Sequence, residues 1–271
     1  MHSVLFTIFG FPIHAYGAML AISFLTGIWF ASYRAKKAGL NPNIVADFSF
    51  YVILSSIVGA RLYYVILHWE EFATDPISIV NPFANGSAGI GGLVMYGGFI
   101  GAVAAGFVFF RIKRLPFLPY ADICAPSFGI GIFFTRIGCF LNGCCYGAPS
   151  LHGVSFPADS PAGAYQVSMH ACGLQPSQLY ESVGGLLLMS LVLLSERRFK
   201  FKGSSFYVIG VGYAVLRFAV DLTRFYSPGE RLWTLSHNQI LCVGLFVVFG
   251  VLWISGLLKK RKASSVSRNV I

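Results

Sequence analysis

The chain is 271 residues long, with 56% hydrophobic residues and only 11% charged ones, and its mean hydropathy is +0.69. A globular domain carries about 45–50% apolar and about 25% charged residues, so this composition excludes a soluble fold. The net charge of +10 would suit nucleic acid only as a solvated basic face. Here the Lys and Arg stand mostly in short clusters between apolar runs, and no nucleic-acid partner is expected.

A membrane-spanning helix needs about 20 mainly apolar residues, because every backbone polar group must be satisfied within the segment. Seven stretches meet that need: 15–33, 46–68, 88–110, 119–142, 178–195, 204–222 and 238–258. No charged leader and small-residue cleavage site precede the first, so it is expected to remain in place. Arg34, Lys36 and Lys37 follow the first span, and Arg111, Lys113 and Arg114 follow the third. Arg197, Arg198, Lys200 and Lys202 follow the fifth; Lys259, Lys260, Arg261, Lys262 and Arg268 follow the seventh. These alternate ends hold 15 of the 20 basic residues, whereas the other connections carry Glu70, Glu71, Asp75 or Asp159. Basic ends are cytoplasmic. The expected architecture is an all-α integral membrane protein of seven transmembrane helices, with its N-terminus outside and its C-terminus cytoplasmic. No internal repeat is evident, and residues 1–271 read as a single transmembrane domain. The one long connection, residues 143–177, is rich in Gly, Pro, Ser, His and Cys and reads as a small external cap between spans four and five.

Three arginines lie inside apolar runs: Arg61 in VGARLYYV, Arg136 in FFTRIGCF and Arg217 in AVLRFAVD. A charge at mid-membrane costs roughly 2.5–3.5 kcal/mol on insertion scales, so it faces the bundle interior or water and has a partner. Arg217 has Asp221 four residues later, on the same helix face. Arg224 and Arg231 are assigned to the outer interface. As ties between helices, the interior arginines would need interior acids, and few are present. Spare positive charge suits an anionic headgroup, because the planar guanidinium grips phosphate or carboxylate at two points.

Polar residues gather at the outer ends of the spans: Tyr16, Asn142, Gln178, Tyr180, Glu181, Asn238 and Gln239. Each alone is an interface anchor or a cap; together, beside the external loop, they place a site in the outer half of the membrane. The run GIGGLVMYGGFIG, residues 89–101, which includes Gly97 and Gly98, either seats a neighbouring helix or lets backbone amides approach a ligand.

These residues resemble a known family, the bacterial prolipoprotein diacylglyceryl transferases. The resemblance runs through PIHAYGAML, GARLYYV, YGGFIGA, TRIGCFLNGCCYG, PSQLYES, LRFAVDLTR and LSHNQIL, in that order along nearly the whole chain. It implies transfer of a diacylglyceryl group from phosphatidylglycerol to the thiol of the lipobox cysteine of a preprolipoprotein, in the bacterial cytoplasmic membrane. Glycerol phosphate is released, a thioether forms, and no metal or soluble cofactor is required. By the resemblance, Arg136 and Arg217 are the important arginines, Tyr16 and Gly147 are essential positions, and Asp221 stands where the family often has Glu. Arg61, Asn142, Gln178, Tyr180 and Glu181 match motif positions on the substrate side, with Gly97 and Gly98 in the span-three motif.

Two departures from the family pattern bear on mechanism. Tyr96 stands where the family often has His, and a phenol with a pKa near 10 is a poor base at neutral pH, so Tyr96 is expected to orient groups. Cys139 and Cys144 replace the family's usual Asn and acid. A disulfide from Cys144 or Cys145 to Cys172 suits an oxidising outer compartment. A metal site with His152 and His170 is the rival, but the spacing fits no standard zinc pattern, and no metal is expected. Other membrane functions fit less well. Retinal attachment needs an interior lysine, which the chain lacks; a serine protease needs a GxSG-like setting, also lacking. A lipid- or lipoprotein-binding homologue without turnover, or an anion or lipid transporter, remains the alternative.

Overall fold

The computed structural model describes residues 4–8, 11–73, 76–79, 92–226, 231–232 and 234–268. Asp75 and the first glycines of the 89–101 run lie outside them, as does the side chain of Arg231. An antiparallel hairpin, β1 (Val4–Ile8) and β2 (Phe11–His14), precedes helix α1 (Ala15–Lys37). Helix α2 (Pro42–Leu67), the short α3 (Trp69–Phe72), a 3-10 turn (Pro76–Ile79) and α4 (Met95–Ile112) follow. Next come α5 (Phe117–Asn142), β3 (Pro149–Val154), α6 (Pro161–Ser168), α7 (Ser177–Arg198) and α8 (Ser204–Asp221). The short pair β4 (Arg231–Leu232) and β5 (Leu235–Ser236) leads into α9 (His237–Arg268).

A helix lies along each of the seven apolar stretches, although α4 starts at Met95, seven residues after the expected start of the third. Six of them, α1, α2, α4, α5, α7 and α9, are long and apolar enough to cross a membrane. Helix α8 falls outside that set because Arg217 and Asp221 interrupt its 18 residues. The N-terminal hairpin lies before the first span and outside the seven expected elements. Helix α9 runs ten residues past the expected end of the last span and carries the basic cluster with it.

The chain falls into two compact units: residues 35–117, and residues 1–34 together with 118–271. In the first, α2 and α4 pack through glycines. A Cβ on Gly59 would strike the Gly97 carbonyl, and one on Gly97 would strike Tyr63 and the Gly59 backbone. Gly98 faces Ser56 and Ala60 in the same seam. Of the two roles open to the 89–101 run, its described glycines take the packing one.

In the second unit, capping fixes the register of the helices. Asp122 of α5 accepts from the backbone amides of Gly203 (2.6 Å) and Phe206 (3.0 Å), so a carboxylate from a neighbouring helix sits at the N-terminus of α8, where the helix dipole favours it. At the basic end of this unit, Arg34 reaches Glu196 at 2.6 Å, and the Ser205 hydroxyl donates to the same oxygen at 2.9 Å. Helices α5 and α7 cross at Gly129 and Gly185, where a Cβ on either would lie within 2.7 Å of the other's carbonyl oxygen. Ser182 Oγ donates to the Phe133 carbonyl at 2.9 Å across the same crossing. Within residues 143–177, Phe156, Ala162 and Leu174 form a core of their own, against which Phe140, Tyr146, Val154 and Tyr165 pack.

Because Gly185 carries the α5–α7 crossing, Gly185→Ala is expected to destabilise the detergent-solubilised protein by about 1–3 kcal/mol, the usual cost of overpacking. Gly250→Ala, where a Cβ meets nothing within 4 Å, leaves the thermal transition where it was. Equal effects of the two substitutions in a melting experiment would refute the crossing's role.

Candidate active site

The crossing of α5 and α7 brings two residues of opposite charge to one level. Arg136 lies less than two turns before the end of α5, and Glu181 lies in the second turn of α7. Arg136 Nη2 donates to Glu181 Oε1 at 2.9 Å. Arg217, near the end of α8, donates from Nη1 to Glu181 Oε2 at 3.1 Å. Glu181 is fully buried, at 0% exposure. A third arginine, Arg224, follows α8 and brings Nη2 to 3.8 Å from the same Oε2. That distance makes an ion pair but no hydrogen bond, and Arg224 Nε and Nη2 are buried without a hydrogen-bond partner among the described residues.

Asp221 is held elsewhere. It lies 3.9 Å from Arg217 Nη2, so the i,i+4 pair read from the sequence is present as a long contact only. Its oxygens instead accept from Tyr226 (2.5 Å) and from the Ser236 hydroxyl. Burial first, then the hydrogen bond to Asp221, pushes the Tyr226 phenol above its ordinary pKa, so it stays protonated as a donor. Ser236 and Gln239 form a reciprocal capping box at the start of α9: Ser236 N donates to Gln239 Oε1 at 2.9 Å, and Gln239 N donates to Ser236 Oγ at 3.1 Å. Asn238 donates to the Tyr226 hydroxyl at 3.1 Å. The chain that follows α8 and the start of α9 are thus bolted to one carboxylate. With Glu181 and Asp221 set against Arg136, Arg217 and Arg224, the site keeps one uncompensated positive charge.

The loop after α5 closes over this cluster. Gln178 is fully buried and donates to the Cys144 carbonyl at 2.8 Å, and its Oε1 has no hydrogen-bond partner among the described residues. Asn142, the last residue of α5, stands beside the Cys144 thiol, whose Sγ donates to the Cys139 carbonyl at 3.6 Å. Gly147 donates to Gln175 O at 2.8 Å and packs against Ser177, Gln175 and the Thr223 carbonyl, leaving no room for a side chain. Tyr16, at the start of α1, lies against Gly138, two residues beyond Arg136. Tyr180 is next to Glu181 in sequence but is 45% exposed and outside the ion network.

The structure draws Arg136, Arg217, Glu181 and Asp221 into one network, with Tyr16, Asn142, Gly147 and Gln178 around it. Arg61, Tyr96, Gly97 and Gly98 belong to the other compact unit. There Arg61 donates to the carbonyls of Ile79 and Ser78, both at 2.9 Å, and stacks 5.0 Å from the Phe72 ring, so it anchors backbone. Tyr96 is exposed at the first turn of α4. Arg224 is a site residue that the sequence reading assigned to the interface. Its backbone lies three residues beyond the end of α8, so its turn toward Glu181 is set by the fold and not by helical spacing.

The cysteines also arrange themselves differently from the expectation. All six are free thiols, and Cys172 is exposed. Cys144 and Cys145 gather with Cys139 instead, the three sulfurs lying within 4.8 Å of one another. Hydrogen bonds from Cys139 and Cys144, then the charges of Arg136 and Arg224, hold the Cys145 thiol well below the ordinary thiol range.

The chain matches the family model described as prolipoprotein diacylglyceryl transferase over residues 3–255. A phosphatidylglycerol–prolipoprotein diacylglyceryl transferase of Clostridium tetani is 31% identical to it, covering 91% of this chain and 96% of the relative. One from Clostridium perfringens, numbered 2 in its name, is 30% identical over 97% of this chain and 98% of its own length. Another from Finegoldia magna is 30% identical over 94% and 95%. With this match spanning the arginine network and nearly all of the sequence around it, the chain belongs to the prolipoprotein diacylglyceryl transferase family.

Proposed function

We propose that this chain transfers the diacylglyceryl group of phosphatidylglycerol to the lipobox cysteine of preprolipoproteins, through the site built on Glu181. One observation carries the reading: three guanidinium groups converge on a single buried carboxylate, and the buried Nε and Nη2 of Arg224 have no hydrogen-bond partner among the described residues. An anionic phosphate satisfies those donors and balances the remaining charge. Arg136, Arg217 and Arg224 hold the lipid phosphate and stabilise the charge that collects on it as the glyceryl C–O bond breaks. Fixed cations in a site shielded from water are effective at this. The acceptor thiol attacks as thiolate, the thioether forms, and glycerol phosphate departs. Gln178, Asn142 and Gly147 shape the loop above the phosphate, Tyr16 borders it, and Asp221 fixes Arg217 and the start of α9. Arg61, Gly97 and Gly98 hold the packing of α2 and α4 within their own unit, and Tyr180 stands beside Glu181 at the start of α7.

In this reading the whole chain is one transmembrane domain of the bacterial cytoplasmic membrane. Helix α8 is the sixth span and completes the seven, with its charges turned inward. The basic helix ends lie in the cytoplasm, and the site, with the cap of residues 143–177, faces outward. A fluorescent reporter fused to the C-terminus is expected to light up in the cytoplasm, and an alkaline phosphatase fusion there to be inactive. The opposite pattern would overturn the orientation.

Membranes containing the protein should transfer labelled diacylglyceryl from phosphatidylglycerol to a lipobox peptide. Arg136→Ala and Arg217→Ala are expected to lose at least about 10²–10³-fold in rate, the scale of removing one transition-state donor, while the protein stays inserted. Arg→Lys at either position should rescue little, because lysine lacks the two-point grip. Absence of product from well-inserted wild-type protein would reject the enzymatic reading in favour of lipid binding or transport. Tyr96→Phe is expected to retain a near-normal rate, as an exposed orienting group would; a collapse of the rate would instead identify the phenol as the base.

A further inference from the structure

The three-cysteine cluster lies beside the arginine network, and its geometry follows from how α5 ends. Helix α5 stops at Asn142, Gly143 takes φ 69°, and Cys145 takes φ 62°. The chain therefore turns back, and the two thiols after the turn meet the side chain of Cys139. A left-handed φ on a residue other than glycine costs of order 1–3 kcal/mol and persists only where the surroundings over-determine it. No disulfide links the three, and Cys139 is buried while Cys145 is exposed.

Three thiolates with sulfurs this close match one thiophilic ion. At a Zn–S distance of about 2.3 Å, sulfurs around one ion lie about 3.8 Å apart in a tetrahedron, within the 4.8 Å spread of the cluster. Among the described residues, no fourth His, Cys, Asp or Glu completes the group. Three protein ligands and one open position is the pattern of a catalytic zinc site, whereas structural sites are closed by four. Arg136 Nη1 stands 3.8 Å from Cys139 Sγ, where a guanidinium favours the thiolate that an ion would ligate.

We propose that Cys139, Cys144 and Cys145 bind one thiophilic divalent cation of the zinc class, whose open fourth position takes the acceptor thiol of the transfer reaction. This rests on the function proposed above and supplies what that site lacks, a means of forming the acceptor thiolate. A thiol that coordinates such an ion gives up its proton, here to solvent. The sulfur lone pair then forms the S–C bond to the glyceryl carbon, and the C–O bond breaks with its electron pair on the phosphate oxygen. Glycerol phosphate leaves as the anion held by the arginines. The neutral thioether is a weaker ligand and dissociates, returning the ion to its open state. No oxidant or reductant enters. Arg136, touching both Cys139 and Glu181, places the ion and the anion subsite side by side.

Full-length protein in detergent, stripped with chelator and titrated with Co²⁺, is expected to bind one ion per chain, with the sulfur-to-cobalt charge-transfer and intense visible bands of a four-coordinate site. Cys139→Ser, Cys144→Ser and Cys145→Ser should each lose those bands; Cys172→Ser, in the exposed cap, should keep them. A lipobox peptide should shift the visible bands, and its Cys→Ser analogue should not. Chelation should lower transfer by at least about 10²-fold, the scale of losing a general base, and Zn²⁺ should restore it. No Co²⁺ uptake by wild-type protein, or a disulfide within the cluster in protein isolated without reductant, overturns the metal site. Full activity after chelation overturns the ion's part in transfer and leaves the transferase reading intact. Bands that respond to the peptide, with no transfer under any condition, support the site and sink the transferase reading instead.

Discussion

The arrangement depends on one buried carboxylate. Glu181 is removed from solvent and faces three guanidinium groups, and an uncompensated charge of either sign in that setting is costly. Removing one partner of a buried ion pair typically costs about 3–5 kcal/mol, because the other charge is left desolvated. The carboxylate therefore makes it possible for α5 and α8 to carry arginines through an apolar bundle. It does not neutralise them all. The excess positive charge, together with donors of Arg224 that find no acceptor among the described residues, is a standing affinity for an anion.

Much of the surrounding fold reads as a means of holding that charge cluster in place. The glycine crossing of α5 and α7 sets the distance between Arg136 and Glu181. Asp221 is fastened by Tyr226 and Ser236, and Ser236 also caps α9. A change at the start of α9 is thereby felt at Arg217. Gly147 lets the loop after α5 sit directly on the start of α7 and the end of α8, where Ser177 and Thr223 share a hydrogen bond of 2.6 Å. Groups fixed in this way need little reorganisation when charge develops on a bound phosphate, which is the condition under which electrostatic stabilisation is strongest.

The unit formed by α2 and α4 provides a contrast. Its interior arginine, Arg61, looks in sequence like Arg136 and Arg217, yet its donors go to backbone carbonyls of residues 78 and 79. A charge within an apolar run thus has two physical solutions. It meets a buried acid in a shared network, or it satisfies carbonyls left open where the backbone is irregular. The first leaves capacity for a ligand, and the second gives the arginine an anchoring role.

The sequence by itself determined the helices, their apolar lengths and the residues that had to be explained. Spacing of apolar runs, the basic clusters between them and the cost of three interior arginines are all local properties, readable without knowing which helices touch. It also revealed Asp221 as a partner for Arg217, because i,i+4 neighbours share a face. Only the tertiary structure decided that Glu181 is the common acceptor, that Arg224 turns inward and that Cys139 meets Cys144 and Cys145. Each of these depends on a crossing or a chain reversal between residues whose neighbours in sequence carry no mark of it. Arg136 and Glu181 are 45 positions apart, and the glycines that bring them together look in sequence like any others in an apolar helix. Pairing across helices is a property of packing, and packing is set by the whole chain at once.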